Sequence, residues 1–224
     1  MESETLVIPA QKTPFFSFPA HTVTWKSSPM RAQQTLDPQD GALFFSVHAQ
    51  ATTPSKQTLK TIKHLLNKYP THPEILNLAA SLYLFSKKQK KANRCIERNY
   101  AANPDYLFAK INYADLCLRR KKSAQIPAIF NHQDSLVALY PQRTTFHVSE
   151  FRGFVTVMGL YALALGHRDR ASCYHYLAYR VDPRHPSTRI LQKKLYALHW
   201  RYALLTRLFP SLSQRKIFKS SRFS

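Results

Sequence analysis

Apolar spacing divides the chain into two regimes. From Gln57 onward apolar residues recur at three- and four-residue steps, as Leu59, Ile62, Leu65 and Leu66 do, which marks one face of a helix. Pro70 ends that run. Further runs follow at about 74–86, 89–102, 106–118, 127–139, 149–165, 169–180 and 186–208, with short polar turns between them. From Gln57 onward there is no sustained alternation and no Asn-Gly or Asp-Gly hairpin signal, so strands are not expected there. Residues 1–54 differ. Six of the 14 prolines lie there (Pro9, Pro14, Pro19, Pro29, Pro38 and Pro54), each removing a backbone donor and opposing helix. The same stretch holds Phe15, Phe16, Phe18, Trp25, Phe44 and Phe45, more aromatic surface than a disordered tail carries. The pattern predicts an extended arm over 1–54 that docks at least in part, a helical domain over 55–208 and a basic C-terminal tail over 209–224.

Composition narrows the function classes. Only 4 of 224 residues are glycine, and no Gly-rich phosphate loop of the Rossmann or P-loop kind is present. The three cysteines, Cys95, Cys117 and Cys173, are odd in number and well separated, which gives no disulfide or zinc pattern and fits a reducing compartment. The first residues lack the positive start and apolar run of a secretory signal. The longest uncharged apolar-rich stretch, 153–166, is too short to span a bilayer as a helix. A cytoplasmic protein without a transmembrane segment is the expectation.

The chain repeats itself. Pro70 and Pro104 lie 34 residues apart, and each closes a helical run. Ala80, Ala92 and Pro104 return as Gly159, Ala171 and Pro183, each shifted by 79, which is two periods of 34 plus an insertion of 11. The middle unit begins in register with Lys110, Tyr113, Ala114 and Cys117 but departs at Ile126 and Pro127, which places the insertion within 123–150. A 34-residue helix-turn-helix period with small residues at these offsets resembles the tetratricopeptide repeat family over about residues 56–185. In the first unit the pattern reads Leu76, Ala79, Ala80 and Tyr83, then Ala92 and Ile96, then Pro104; in the later unit it reads Val155, Met158, Gly159 and Ala162, then Ala171 and His175, then Pro183. The bulky aromatic of the family is absent at Leu76, Lys110 and Val155, and His175 stands for Phe. The alternative is an unrelated helical bundle.

The resemblance implies an all-α, right-handed helix-turn-helix solenoid with an extended N-terminal arm and a C-terminal capping helix. One unit cannot bury its own face, so stacking supplies the core. It also implies a concave peptide groove: Asn77, Ser81, Leu84 and Phe85 from the first unit, Phe108, Ile111, Asp115 and Leu118 from the middle one, and Thr156, Leu160 and Leu163 from the later one. This face is largely apolar, and the aromatic arm is a candidate lid. The family's Lys, Arg and Asn clamp for a terminal carboxylate is not matched: Asn112 alone falls in place. Type III secretion chaperones, small tetratricopeptide proteins that shield apolar segments, are similar at the level of fold, although this chain is far more basic.

Charge changes the picture most. Lys and Arg number 33 against 12 Asp and Glu, a net of +21, and the arm itself carries −1, so the remainder carries +22. Lys87, Lys88, Lys90 and Lys91 fill the turn inside the first unit, Arg119, Arg120, Lys121 and Lys122 that of the middle unit, and Arg168 and Arg170 that of the later unit. Stacking predicts that these turns merge into one positive ridge for an anionic partner. A solvated edge is the plainer alternative.

Catalysis finds little support. His167 and His175 have no acidic partner at ligand spacing, Cys117 and Cys173 lie among apolar residues, and the eight acids after residue 54 form no close pair. The expectation is therefore a non-catalytic protein-binding adaptor or chaperone-like scaffold with no cofactor and no metal. Its partner would be a protein or peptide, acidic where it meets the ridge. A nucleic-acid-associated basic helical protein is the second reading.

Overall fold

The computed structural model describes residues 4–13, 16–26 and 32–208. The elements run β1 (Thr5–Ile8), β2 (Gln11–Thr13), β3 (Phe16–Phe18), β4 (His21–Thr24), α1 (Ala32–Thr35), α2 (Pro38–Ala49), α3 (Lys56–Lys68), α4 (Pro73–Phe85), α5 (Gln89–Ala102) and α6 (Leu107–Arg119), then α7 (Ile126–Ile129), α8 (Leu136–Leu139), β5 (Thr145–His147), α9 (Val148–Ala164), α10 (Arg168–Val181) and α11 (Pro186–Leu208). The molecule is mainly helical, as the spacing predicts. Helix packs on helix in chain order from α2 to α6; α6 then meets α9, α9 meets α10, and α11 rests on both. One apolar cluster spans α1 to α5. A second spans α6 to α10 together with the strands, and Tyr113 touches both. The tail over 209–224 lies outside the described residues.

Local signals set the helix ends. Ser55 caps α3, accepting from the Thr58 amide at 3.0 Å while the Thr58 hydroxyl accepts from the Ser55 amide at 3.2 Å. Pro38 and Pro73 occupy first-turn positions, where a missing N–H costs nothing. The predicted run at 127–139 is instead two single-turn helices: Asn131 and His132 adopt left-handed backbone (φ 51 and 58) between them, and Ser135 caps the second.

The small residues sit at close approaches. Ala80, Ala92, Ala114 and Ala171 are buried. Gly159 leaves no room for a side chain: a Cβ there would lie 2.6 Å from Leu191 Cδ2 and 3.2 Å from Tyr174 Cβ, so α10 and α11 both close onto α9 at this point.

The arm corrects the all-helical expectation. It is extended only through Thr24, and this part is built into two small sheets. β1 pairs antiparallel with β4, and β4 pairs in parallel with β5, placing Val23 beside Phe146. β2 and β3 form a separate antiparallel pair. Phe16 packs edge-on against Tyr174 (4.9 Å between centroids) and Phe18 against Phe151 (6.1 Å). The rest of 1–54 is not extended. Its prolines leave room for helix because Pro38 starts α2 rather than interrupting it. Lys68 and Tyr69 at the end of α3 bind Asp40 and Asp37 of the α2 start, which holds both carboxyls below the ordinary range and raises the Lys68 ammonium. The helix at 56–68 is thus the packing partner of α2.

His21 is buried against Phe18, Phe146 and Phe151. Its Nδ1 donates to the Pro19 carbonyl at 2.7 Å, and its Nε2 accepts from the Val137 amide at 3.4 Å. Burial lowers its pKa, so the ring is neutral in the folded state.

Two stability outcomes are expected. Gly159→Val costs about 1–3 kcal/mol by overpacking, read from urea unfolding at neutral pH. The folded-state pKa of His21 lies below that of the unfolded chain, so the unfolded state binds the extra proton. The contribution of His21 is complete above pH of about 6.5 and declines as pH falls below it. The urea midpoint should therefore drop between about pH 7.5 and pH 5.5; an unchanged midpoint would mean a protonated ring is tolerated in the core.

Candidate functional site

The three inter-helix turns share one geometry. After α4 the Lys88 amide donates to the Tyr83 carbonyl at 2.7 Å and Lys87 to Leu84 at 3.0 Å. After α6 the Lys122 amide reaches Cys117 at 2.8 Å and Lys121 reaches Leu118 at 3.1 Å. After α9 the His167 amide reaches Ala162 at 2.9 Å and Gly166 reaches Leu163 at 3.0 Å. These crossed six-to-one and five-to-two bonds close each helix and require one left-handed residue. That residue is Lys87 (φ 58), Lys121 (φ 59) and Gly166 (φ 80) in turn. Left-handed backbone costs a residue with a Cβ about 1–2 kcal/mol, a cost the glycine avoids.

The predicted ridge residues all lie at these turns, but their partners differ. Arg120 pairs with Glu97 of α5, which ties the second turn to the helix that follows the first. Arg119 binds Asp115 of its own helix at 2.9 Å. Lys91 lies over the Tyr83 ring, its Nζ 5.8 Å from the centroid. The third turn is engaged elsewhere: Arg168 donates to the Leu195 carbonyl of α11 and Arg170 binds Asp134, each at 3.0 Å. Lys87, Lys88, Lys90, Lys121 and Lys122 are exposed and make no side-chain hydrogen bond or ion pair among the described residues. Among the three turns, the unpaired positive charge is therefore concentrated on the first two.

The predicted groove residues divide in the same way. Leu84 and Phe85 are exposed, at 41% and 57%, beside the first lysine turn. Asn77, Ser81, Phe108, Asp115, Leu118, Leu160 and Leu163 are half-buried. Asn112 donates to the Asn77 side chain at 2.6 Å, so the one clamp-like residue is spent on bracing α4 to α6. Ile111 and Thr156 are buried and do not line an open groove. For Ile111 the reason is Gly153: without a side chain there, α9 closes on α6, and a Cβ would lie only 3.2 Å from Ile111 Cδ1. Leu163 packs on Ala162, Ala171 and Leu195. The arm is engaged by α9 and α10 through its aromatics. Its helical part reaches α4 at the opposite end from Phe85, where the Ala32 amide donates to Glu74 at 2.7 Å. Glu74 and Phe85 are about 16 Å apart along the helix.

One surface lies outside the predicted groove and the predicted ridge. A cleft of about 400 Å³ between α10 and α11 is lined by Ser172, His175, Tyr176, Tyr179, Gln192, Leu195 and Tyr196. Its sequence signal is a pair of tyrosines, 176 and 179, one helical turn apart on a helix whose remaining apolar positions are buried.

Nucleophilic and metal chemistry have little to build on. Burial pushes the Cys95 thiol up to about 11 and raises those of Cys117 and Cys173, opposite to what a thiolate nucleophile needs. Among the described residues no three His, Cys, Asp or Glu side chains could hold a metal ion, and no helix is long and apolar enough to cross a membrane. Comparison with models of known protein families and with curated proteins finds no match.

If the left-handed backbone at the first two turns is as strained as these angles imply, Lys87→Gly and Lys121→Gly each stabilise the protein by about 0.5–1 kcal/mol in urea unfolding.

Proposed function

We propose that this chain is a non-catalytic tetratricopeptide-type adaptor or chaperone-like scaffold that holds a protein segment combining acidic and apolar residues. The observation that carries the reading is the end of α4, where exposed Leu84 and Phe85 adjoin the unpaired Lys87, Lys88 and Lys90, with Lys121 and Lys122 in the turn linked through Glu97. Apolar side chains next to free cations suit a partner that offers both an anchor and carboxylates. The left-handed residues 87, 121 and 166 recur at 34 and then 45 residues, the sequence spacing of 34 and 79 expressed in backbone angle, and this supports a repeat origin. Three free cysteines suit a reducing, cytoplasmic setting.

The contact surface is narrower than a full concave groove, because Ile111 and Thr156 are closed off. The partner therefore engages one end of the stack. A photo-crosslinking side chain at position 85 should capture a protein at about 50 mM salt. Lys87→Glu combined with Lys121→Glu should abolish that capture, and about 200 mM salt should weaken it less than it weakens phosphate binding. Capture of nucleic acid alone, or capture unaffected by the two reversals, would overturn the reading.

A further inference from the structure

We propose that the cleft between α10 and α11 binds single-stranded nucleic acid, taking a base among Tyr176, Tyr179 and Tyr196. The site is on different elements from the lysine turns and does not depend on them. Three features support it. First, the rings are available: Tyr176, Tyr179 and Tyr196 are 45%, 51% and 53% exposed, unusual for aromatics one turn apart and facing across a groove. The cleft of about 400 Å³ falls at the lower end of small-ligand sites, enough for one base with its sugar.

Second, the floor of the cleft carries an unmet polar group. His175 is 9% exposed, and its Nε2 is buried with no hydrogen-bond partner. Its ring lies 6.0 Å from Tyr179 and 6.2 Å from Tyr196, centroid to centroid. Burial lowers its pKa, which keeps the ring neutral, so Nε2 is one half of a donor-acceptor pair rather than a charge. A buried imidazole nitrogen left unpaired is costly; Nε2 is closed to solvent, so a base edge pairs with it only where the cleft tyrosines shift to open it. Ser172 and Gln192 on the walls offer further groups able both to donate and to accept.

Third, the surrounding charge has one sign. Arg180, Arg184, Arg189, Lys193 and Lys194 are exposed on or beside these two helices. Arg180 also donates to the Tyr176 hydroxyl at 3.0 Å, which holds a guanidinium at the rim. Asp182 is taken up by Arg152, at 2.8 Å, and by the His185 amide, leaving Asp169 at the far end of α10 as the remaining acid on the pair. Residues 183–224 contain no acid at all. Aromatic faces inside a cationic rim match the stacking and phosphate contacts of single strands, whereas a duplex keeps its bases stacked internally and could use only the rim. An apolar peptide would leave the rim cations unused, and an acidic one would leave the rings unstacked.

The test uses the full chain and fluorescently labelled oligouridylate and oligothymidylate of about a dozen nucleotides, with a duplex of equal length, followed by anisotropy at about 50 mM and about 200 mM salt. The single strands should bind more tightly than the duplex. Tyr179→Ala and Tyr196→Ala should each weaken binding about tenfold. Tyr179→Phe should bind like the parent, whereas Tyr179→Leu, which keeps apolar bulk without the ring, should behave like the alanine variant. Melting curves of each variant confirm that it is folded, and Lys87→Glu with Lys121→Glu should reduce binding less than either tyrosine loss. Absence of binding at low salt overturns the proposal. So does equal binding of duplex and single strand, or a tyrosine series that binds like the parent, since either would mean attraction by charge alone.

Discussion

A reversal of direction between two packed helices within a few residues needs one position of left-handed backbone and one position where the two backbones can nearly touch. Everything in the helical part of this molecule depends on meeting that pair of demands repeatedly. Lys87, Lys121 and Gly166 meet the first, and Ala80, Ala114 and Gly159 meet the second. At Gly159 the demand is sharpest, because α10 and α11 approach the same point on α9. The helices that result are too short to be stable alone and gain their stability from the shared apolar faces. The bridging of the two core clusters by Tyr113 makes the helices one packed body rather than separate hairpins.

What could be read from the sequence follows from how local its cause is. The small residues were legible because a steric limit acts through residue size alone. The end of α5 was legible because apolar spacing and a following proline, Pro104, act within a few positions. The strands were not: each has three or four residues, too few for alternation to register, and Val23 acquires its partner from Phe146 far along the chain. α2 was hidden because Pro38 opposes helix everywhere except at the first turn, where it stands. The break inside the run at 127–139, at Asn131 and His132, was not legible either. On the surface, the cations were legible as a set, yet their pairings were not. Nothing local connects Arg120 to Glu97 or Arg170 to Asp134. The groove was over-read at Ile111 because the absence of a side chain at Gly153 acts on a neighbouring helix.

The two surfaces proposed to bind differ in kind. At the end of α4, lysines on flexible stems stand beside two apolar side chains, an arrangement that favours attraction over fixed geometry. Between α10 and α11, rigid rings and a buried imidazole impose an orientation on whatever enters. Lysine occupies a left-handed position in the first two turns where glycine would be less strained, so positive charge at these turns comes with a conformational cost. The third turn uses glycine, and the arginines beside it are occupied by neighbouring backbone and carboxylate.

Thr22 and Thr145 sit side by side in the sheet. A ribosome makes the first of them long before the second, so β4 emerges able to pair with β1 but with no β5 for its other edge. Phe16, Phe18 and Val23 must wait through the assembly of four or more helices before β5 and α9 provide their berth. A nascent chain halted anywhere before residue 145 would carry Phe16, Phe18 and Val23 with no core to bury them.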